Sequence, residues 1–172
     1  MAEPPRLPAI LLTWEQSIIY FVTICVKDRR KVLATPEVFD AIKATISQLR
    51  KWHVLAGVIM ADHVHWVVSP VDDRDLSVGD FSHGFKRLLR QRLDPQSWEW
   101  QRGCFDRLLR SDDNLRSKWI YVKDNTVRHG LVHKAEDWPY YLDFINEADR
   151  GSCQLPLQEP QQAVQFRGVG GQ

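Results

Sequence analysis

The sequence predicts one α+β domain with a ferredoxin-like antiparallel sheet and helices mainly on one face. Elements with strand and helix patterns follow in the order strand, helix, strand, strand, helix, strand, helix. Two consecutive strands are close enough to form a hairpin, and the other connections contain helices, as in a pair of βα-type units. With 172 residues, 44% of them hydrophobic, the chain is long enough to bury one core.

The first half of the chain predicts a strand, a helix and a hairpin. Residues 18–26 (IIYFVTICV) are β-branched and aromatic, which is typical of a buried strand. Thr35 is placed to cap a helix with Pro36 in its first turn. Helical spacing then marks one apolar stripe, formed by Val38, Ile42, Ile46, Leu49 and Trp52. Residues 54–60 and 63–68 are two further strands on either side of a tight break.

The second half predicts a helix, a strand and a last helix. Residues 78–93 have a helical apolar pattern that ends near Asp94 and Pro95. Residues 104–109 favour a fourth strand, although RLLR is also compatible with a helix. Ser111 caps the last helix, with Asp112 and Asp113 in its positive first turn, and Gly130 marks its end.

Composition suggests a cytoplasmic protein with no membrane segment. No apolar run approaches the roughly 20 residues that span a bilayer, and the N-terminus does not resemble a signal peptide. Three scattered cysteines (Cys25, Cys104 and Cys153) fit a reducing compartment. Residues 1–150 are expected to form the domain. Residues 151–172, rich in Gln, Gly and Pro, are expected to form a flexible tail.

Basic residues are concentrated in one part of a chain whose net charge is only +1. Residues 86–134 contain twelve basic and six acidic side chains, a local excess of six positive charges. Such a surface can bind a phosphate backbone, and a solvated helix face explains the same charges equally well. The candidate phosphate contacts are Lys86, Arg87, Arg90, Lys118, Lys123 and Arg128.

Two histidines on one predicted strand are the most informative feature of the sequence. Because strand side chains alternate, His63 and His65 share a face with Val67, while Trp66 and its neighbours face the opposite way. Two imidazoles at this spacing are well placed to chelate one metal ion. The His-x-His pattern alone is weak, since two surface histidines on an exposed sheet face would look the same.

The last predicted helix carries a second candidate pair. Leu115, Trp119 and Val122 form its apolar stripe, and Tyr121 and Asn125 lie four residues apart on a neighbouring face. If that face meets the two histidines, a phenol and an amide oxygen join the two ring nitrogens. Spacing alone also fits a half-buried aromatic residue and an asparagine that binds backbone near a helix end.

Together these segments give the chain a family resemblance. IYFVTICVKDRRKVL, GVIMADHVHWVVSP, QRGCFDRLLRSDDNLRSKWIYVKDNTVRHGLV and EDWPYY occur in this order between about Tyr20 and Tyr141. They resemble the REP-associated tyrosine transposases, a branch of the single-tyrosine HUH transposases. The match is specific because the His-x-His strand and the Tyr-x-x-x-Asn helix occur together.

This resemblance implies a fold, a set of site residues and a substrate. His63 and His65 would be the HUH pair, Asn125 the third metal ligand and Tyr121 the nucleophile. Family members cut single-stranded DNA beside hairpins of repetitive extragenic palindromes, leaving a 5′-phosphotyrosine and a free 3′-OH. The implied cofactor is Mn²⁺ or Mg²⁺, and the implied state is a monomer or a homodimer.

The sequence departs from the family pattern at two positions. Relatives commonly have Pro-Asn before the first histidine, where this chain has Ala61 and Asp62. Relatives commonly have Asn-Pro after the tyrosine, where this chain has Asn125 and Thr126. Both changes adjoin the predicted metal site, so they bear on metal preference and activity.

Other interpretations of the same residues remain open. Trp98, Trp100 and Phe105 are candidates for stacking on unpaired bases, with core packing at least as good an explanation. Tyr140 and Tyr141, placed after Trp138-Pro139 in an expected turn, are rival nucleophiles by residue type. A nucleic-acid-binding module without catalysis, and a metal hydrolase acting on small phosphate esters, are the alternative functions.

Overall fold

The computed structural model describes residues 18–71, 75–93, 98–109 and 115–145. Its strands are β1 (Ile19–Cys25), β2 (Trp52–Ile59), β3 (His63–Pro70), β4 (Phe105–Leu109) and β5 (Tyr141–Asp143). Its α-helices are α1 (Pro36–Ile46), α2 (Val78–Arg92), α3 (Leu115–Lys123) and α4 (Asn125–Arg128). Short 3-10 turns follow β1, at Lys27–Arg29, and precede β5, at Ala135–Asp137.

The five strands form one antiparallel sheet in the order β4-β1-β3-β2-β5. The first four strands have the order of a ferredoxin-like sheet, which confirms the predicted fold class. The sequence patterns did not predict β5, which pairs with residues 56–58 of β2 and extends that edge. Tyr141 therefore begins a strand, although a turn was expected there.

One face of the sheet carries the larger core. Val64, Trp66 and Val68 of β3 pack there against α1 and α2, as the alternation of side chains predicted. From α2, Phe81 and Phe85 contribute fully buried rings, and both lie edge-on to Trp66. These two helices therefore cover the face that points away from His63 and His65.

The opposite face is covered by α3. Trp119 and Val122 of this helix form a second buried cluster with Val58 and Val67 of the sheet. Trp138 completes the cluster, and its indole N–H donates to the carbonyl of Ile59 over 3.0 Å. The expectation of helices mainly on one face thus holds for α1 and α2 but not for α3. The apolar stripe of α3 was predicted correctly.

Local signals explain where most helices begin and end. Thr35 caps α1, because its hydroxyl accepts from the backbone N–H of Val38 over 3.3 Å. The helix ends at Ile46, so Leu49 and Trp52 do not belong to its apolar stripe. Leu49 lies in the following turn and Trp52 in β2, and both side chains are buried. The predicted last helix is divided into α3 and α4, and its end is confirmed by Gly130, whose φ is +65°.

Several expectations fall outside the described residues. They are the cap at Ser111 with Asp112 and Asp113, Cys153, and the tail from 151 to 172. The predicted end of the helix over residues 78–93 is confirmed, because α2 ends at Arg92 with Leu93 as its C-cap. Within the described ranges, no helix is both long and apolar enough to cross a membrane.

Candidate active site

The two histidines of β3 converge on one point. His63 is buried and His65 is half-buried, on the sheet face that α3 covers. Their Nε2 atoms lie 3.0 Å apart, and the rings meet edge to face with centroids 4.6 Å apart. Two nitrogen atoms that point at each other across this distance form half of a metal chelate.

Each imidazole is held at its other nitrogen. Nδ1 of His63 lies 2.6 Å from Asp62 Oδ1, and Asp62 Oδ2 in turn accepts from Arg29 Nε over 2.9 Å. Nδ1 of His65 lies 2.9 Å from the hydroxyl of Thr23, the residue opposite it in the β1–β3 register. Contacts of this kind orient histidines that bind metals.

The electrostatics of the site favour neutral imidazoles. Burial lowers the pKa of His63, and the neighbouring carboxylate of Asp62 opposes this only in part. Burial, with the charges of His63 and Arg29, lowers the pKa of His65 to about 3. For Asp62, burial acts to raise the pKa, but the hydrogen bond from His63 and the charges of His63 and Arg29 outweigh it and lower the pKa. Near pH 7 the site therefore has two neutral rings beside a carboxylate, which is the form that binds cations.

We expect acid to destabilise the metal-free protein through His65. In the unfolded chain a histidine titrates near about 6.5, whereas folding lowers the pKa of His65 to about 3. Between these values the unfolded chain binds a proton that the folded chain does not. The contribution of His65 is therefore complete above about pH 6.5 and is lost as the pH falls toward 3.

Urea unfolding between pH 7 and pH 4 measures this contribution. The slope due to His65 should approach about 1 kcal/mol per pH unit, and His65→Gln should flatten the profile by that amount. If the free energy of unfolding depends on pH in the same way in the native chain and the variant, His65 is protonated equally in the folded and unfolded states.

Asn125 approaches the histidines from α4. It is the first residue of this helix, and its amide Nδ2 lies 3.5 Å from Nε2 of His65. A half-turn of the amide exchanges nitrogen for oxygen, so Oδ1 can occupy the same position. The structure thus brings together His63, His65 and Asn125, the three residues predicted as metal ligands.

Tyr121 lies on the same side of the sheet, on the exposed part of α3. The helix is fixed to the histidine face by Trp119 and Val122, while 56% of Tyr121 remains exposed. The guanidinium of Arg128 lies over its ring, 4.0 Å from the centroid. The phenol is neither in the hydrophobic interior nor on the far side of the sheet.

A third imidazole, which the sequence patterns do not single out, lies beside the site. His129 follows α4, and its ring centroid is 6.5 Å from that of His63. It is four residues after Asn125 and eight after Tyr121. Extending the four-residue spacing along the helix by one step would have found it.

The predicted phosphate contacts occupy two different places. Lys86, Arg87 and Arg90 are on α2, which covers the face away from the histidines. The ammonium of Lys86 donates to the carbonyls of Gln101, over 2.8 Å, and Gly103, and burial lowers its pKa. This lysine is therefore engaged in holding a loop, whereas Arg87 and Arg90 are exposed.

The other three basic candidates belong to the helices beside the site. Lys123 lies 3.7 Å from the carboxylate of Asp143 and over the rings of Trp119 and Tyr141. Lys118 is half-buried on α3, and Arg128 contacts Tyr121. Of these three residues, Arg128 is in contact with Tyr121, whereas the ammonium of Lys123 is already engaged by Asp143.

The aromatic candidates differ in exposure. Trp98 is buried in the main core, and Trp100 packs against it, which favours core packing for both. Phe105 is 59% exposed on β4 and is still available for stacking. The rival nucleophile Tyr140 packs against Phe39, with ring centroids 5.6 Å apart.

Comparison with known proteins agrees with this fold and identifies the family. Residues 15–105 match the family described as "Transposase IS200 like". A Haemophilus influenzae protein, provisionally named a REP-associated tyrosine transposase, is 30% identical over 138 residues, which cover 71% of this chain and 77% of that protein. The REP-associated tyrosine transposase of Escherichia coli is 24% identical over 139 residues, covering 77% of this chain and 79% of its own.

A solved structure, that of a REP-associated tyrosine transposase bound to a REP hairpin, has a similar fold. The two structures superimpose with a TM-score of 0.67 and are 20% identical in sequence. The alignment covers 99% of this chain and 100% of the chain in the solved structure. The chain therefore belongs to the IS200-like transposase family and, within it, to the family of the REP-associated tyrosine transposases. It is accordingly an enzyme that acts on DNA.

Proposed function

We propose that this transposase nicks and rejoins single-stranded DNA beside a hairpin, through a 5′-phosphotyrosine intermediate on Tyr121. The observation that carries the proposal is the meeting of β3 and α4. The Nε2 atoms of His63 and His65 lie 3.0 Å apart, and the amide of Asn125 is 3.5 Å from His65. Helix α3, packed on the same sheet face, carries an exposed phenol.

The residues of this cluster fit a divalent cation. His63 and His65 offer neutral nitrogens, and Asn125 offers an amide oxygen after rotation of its side chain. Mixed nitrogen and oxygen ligation suits Mn²⁺ and is compatible with Mg²⁺. When bound, such an ion would offset negative charge on the oxygens of the scissile phosphate.

The protein's own part in the reaction is a transesterification by Tyr121. Its phenol loses a proton, and the phenolic oxygen forms a bond to phosphorus while the bond from phosphorus to the 3′ oxygen breaks. The 3′ oxygen takes up a proton and leaves as a free hydroxyl. Because the new phosphotyrosine bond is still a phosphodiester, a 3′-OH can later attack it and rejoin the strand without ATP.

Arg128 supports this role for Tyr121. A guanidinium 4.0 Å from the ring centroid holds the aromatic ring by a cation–π contact. Arg128 also lines an open depression of about 440 Å³, together with Asp124, His133, Lys134 and Glu136.

The proposed partner is a DNA hairpin formed by palindromic repeats. The similar solved structure holds a REP hairpin. The lysine and arginine side chains predicted as phosphate contacts in this chain are of the type that binds a DNA backbone. Arg128 and Lys118 would contact the strand near the tyrosine, and Lys123 could do so only by leaving its partner Asp143. Arg87 and Arg90 would contact more distant phosphates, with Lys86 the weakest candidate because its ammonium already has two carbonyl partners. We further propose that the protein acts in the cytoplasm as a monomer or a homodimer.

Incubation with a labelled single-stranded oligonucleotide containing a hairpin tests the function. With Mn²⁺ or Mg²⁺ present, we expect a covalent protein–DNA adduct on a denaturing gel and a released fragment with a 3′-OH. EDTA should remove both products. Hairpin binding without any adduct would indicate a non-catalytic binding module. Cleavage that persists in EDTA would rule out the metal site proposed here.

A further inference from the structure

The residue before the first histidine, Asp62, makes a close contact with that histidine. The carboxylate oxygen Oδ1 of Asp62 lies 2.6 Å from Nδ1 of His63. Oδ2 accepts from Arg29 Nε over 2.9 Å. One carboxylate thus joins a guanidinium to the ring that is proposed to bind the metal ion.

The backbone holds Arg29 in place for this contact. Asp28 and Arg29 have φ angles of +56° and +53°, a region that is unfavourable for residues other than glycine. The turn is tied to the β2–β3 connection, since the N–H of Val26 donates to the carbonyl of Asp62 over 2.9 Å. The N–H groups of Val32 and Leu33 donate to the carbonyl of Ala61. These bonds fix the Arg29 segment and the Asp62 turn relative to each other.

The positions of the protons follow from these partners. An ionised carboxylate only accepts hydrogen bonds, so Nδ1 of His63 carries the ring proton and Nε2 keeps its lone pair. The partner of His65 is the hydroxyl of Thr23, which can either donate or accept. The tautomer of His63 is therefore fixed in advance, whereas that of His65 can change when a cation arrives.

We propose that Asp62, oriented by Arg29, is a positioning residue that holds His63 in the tautomer and orientation needed to bind the metal ion. The inference rests on the proposed function, because it assumes that His63 is a metal ligand. A carboxylate in this position strengthens the ligand through its charge as well as its hydrogen bond. An amide has no charge and can donate to Nδ1 as easily as accept from it, so it leaves the tautomer of His63 undecided.

Titration of the full-length, metal-free protein with Mn²⁺ by calorimetry tests the role of the carboxylate. We expect Asp62→Asn to weaken Mn²⁺ binding by at least about tenfold. Asp40→Asn is the matched control: it removes a carboxylate that pairs with Lys43 on the exposed side of α1, over 2.7 Å. Its affinity should stay within twofold of the native value. Thermal unfolding of both variants without metal checks that the fold is retained.

Nitrogen chemical shifts of the histidines in the metal-free protein give a readout that loss of stability would not produce. Native His63 should show the Nδ1–H tautomer, and Asp62→Asn should show a mixture of both tautomers. Native-like affinity together with an unchanged tautomer in Asp62→Asn would overturn the inference. It would leave the proposed function intact, provided that His63→Ala loses Mn²⁺ binding. If the native protein binds no Mn²⁺, the proposed function and this inference both fail.

The contribution of Arg29 can be separated by a double-mutant cycle. Arg29→Gln should weaken Mn²⁺ binding less than Asp62→Asn, because the carboxylate is still present but less firmly oriented. The double variant should bind about as weakly as Asp62→Asn alone, since Arg29 acts through Asp62. Fully additive losses would show that Arg29 acts on the ion independently, which would contradict the orienting role.

Discussion

Tyr121→Phe is expected to abolish the covalent protein–DNA adduct and to lower strand cleavage by at least about 10³-fold. The substitution removes one oxygen atom, the one that is proposed to attack phosphorus. The ring is 56% exposed, so its loss of a hydroxyl should leave the fold unchanged. Phe also retains an aromatic face for Arg128, whose guanidinium lies 4.0 Å from the ring centroid.

Two neighbouring tyrosines provide the matched controls. Tyr140→Phe and Tyr141→Phe make the same chemical change near β5, and both should form the adduct at close to the native level. Tyr121→Phe should still bind the hairpin in a mobility-shift assay, because the proposed phosphate contacts do not involve the phenolic hydroxyl. An undiminished adduct in this variant, or its loss in either control, would place the nucleophile elsewhere.

The part of the fold that was predictable depends on local patterns. Alternation along β3 separates His63 and His65 from Trp66, and this follows from the strand period alone. The cap at Thr35 and the stop at Gly130 are equally local, because each depends on one residue and its immediate backbone. Such features are specified by the sequence within a few positions.

Features set by tertiary contacts were not predictable in the same way. The three residues of β5 are too few to show a pattern, and they form a strand because β2 offers its edge to them. An apolar stripe on α3 shows that one side of the helix is buried, but it does not show which face of the sheet covers it. Trp119 and Val122 meet the histidine face through contacts with Val58 and Val67, which are distant from them in the sequence.

The candidate site also combines residues that the sequence predicted with contacts that depend on the tertiary structure. Family resemblance, rather than spacing, selected Tyr121 and Asn125, and the structure then placed Asn125 beside His65. Thr23 becomes a partner of His65 only once the register of β1 and β3 is known. Charge alone suggested that Lys86 binds phosphate, because the sequence gives no sign of the two carbonyls that its ammonium contacts.

The hairpin that carries the histidines depends on a close contact between Gly57 and Trp66. The two residues are paired across β2 and β3, and Trp66 is completely buried. A methyl group on Gly57 would lie 2.2 Å from one carbon of the indole ring and 2.4 Å from the next. No side chain can be accommodated at this distance, so the indole or the strand would have to move.

Gly57→Ala is therefore expected to destabilise the protein by about 3 kcal/mol and to lower the Tm by about 10 °C. Gly84→Ala on α2 is the matched control, since its nearest heavy atom is Leu49 Cδ2 at 3.7 Å. That change should be neutral or stabilise the helix by up to about 1 kcal/mol. Thermal and urea unfolding of both variants measures the difference.

Combining Gly57→Ala with Trp66→Leu should identify the clash as the cause. Trp66→Leu alone leaves a cavity and is expected to cost several kcal/mol, about 3 to 4. If the methyl group occupies part of that cavity, the double variant will be more stable than the sum of the two losses implies. Because Trp66 follows His65 directly on β3, Gly57→Ala should also weaken Mn²⁺ binding. A variant that kept native stability would show that the indole can move aside without disturbing the strand that holds both imidazoles.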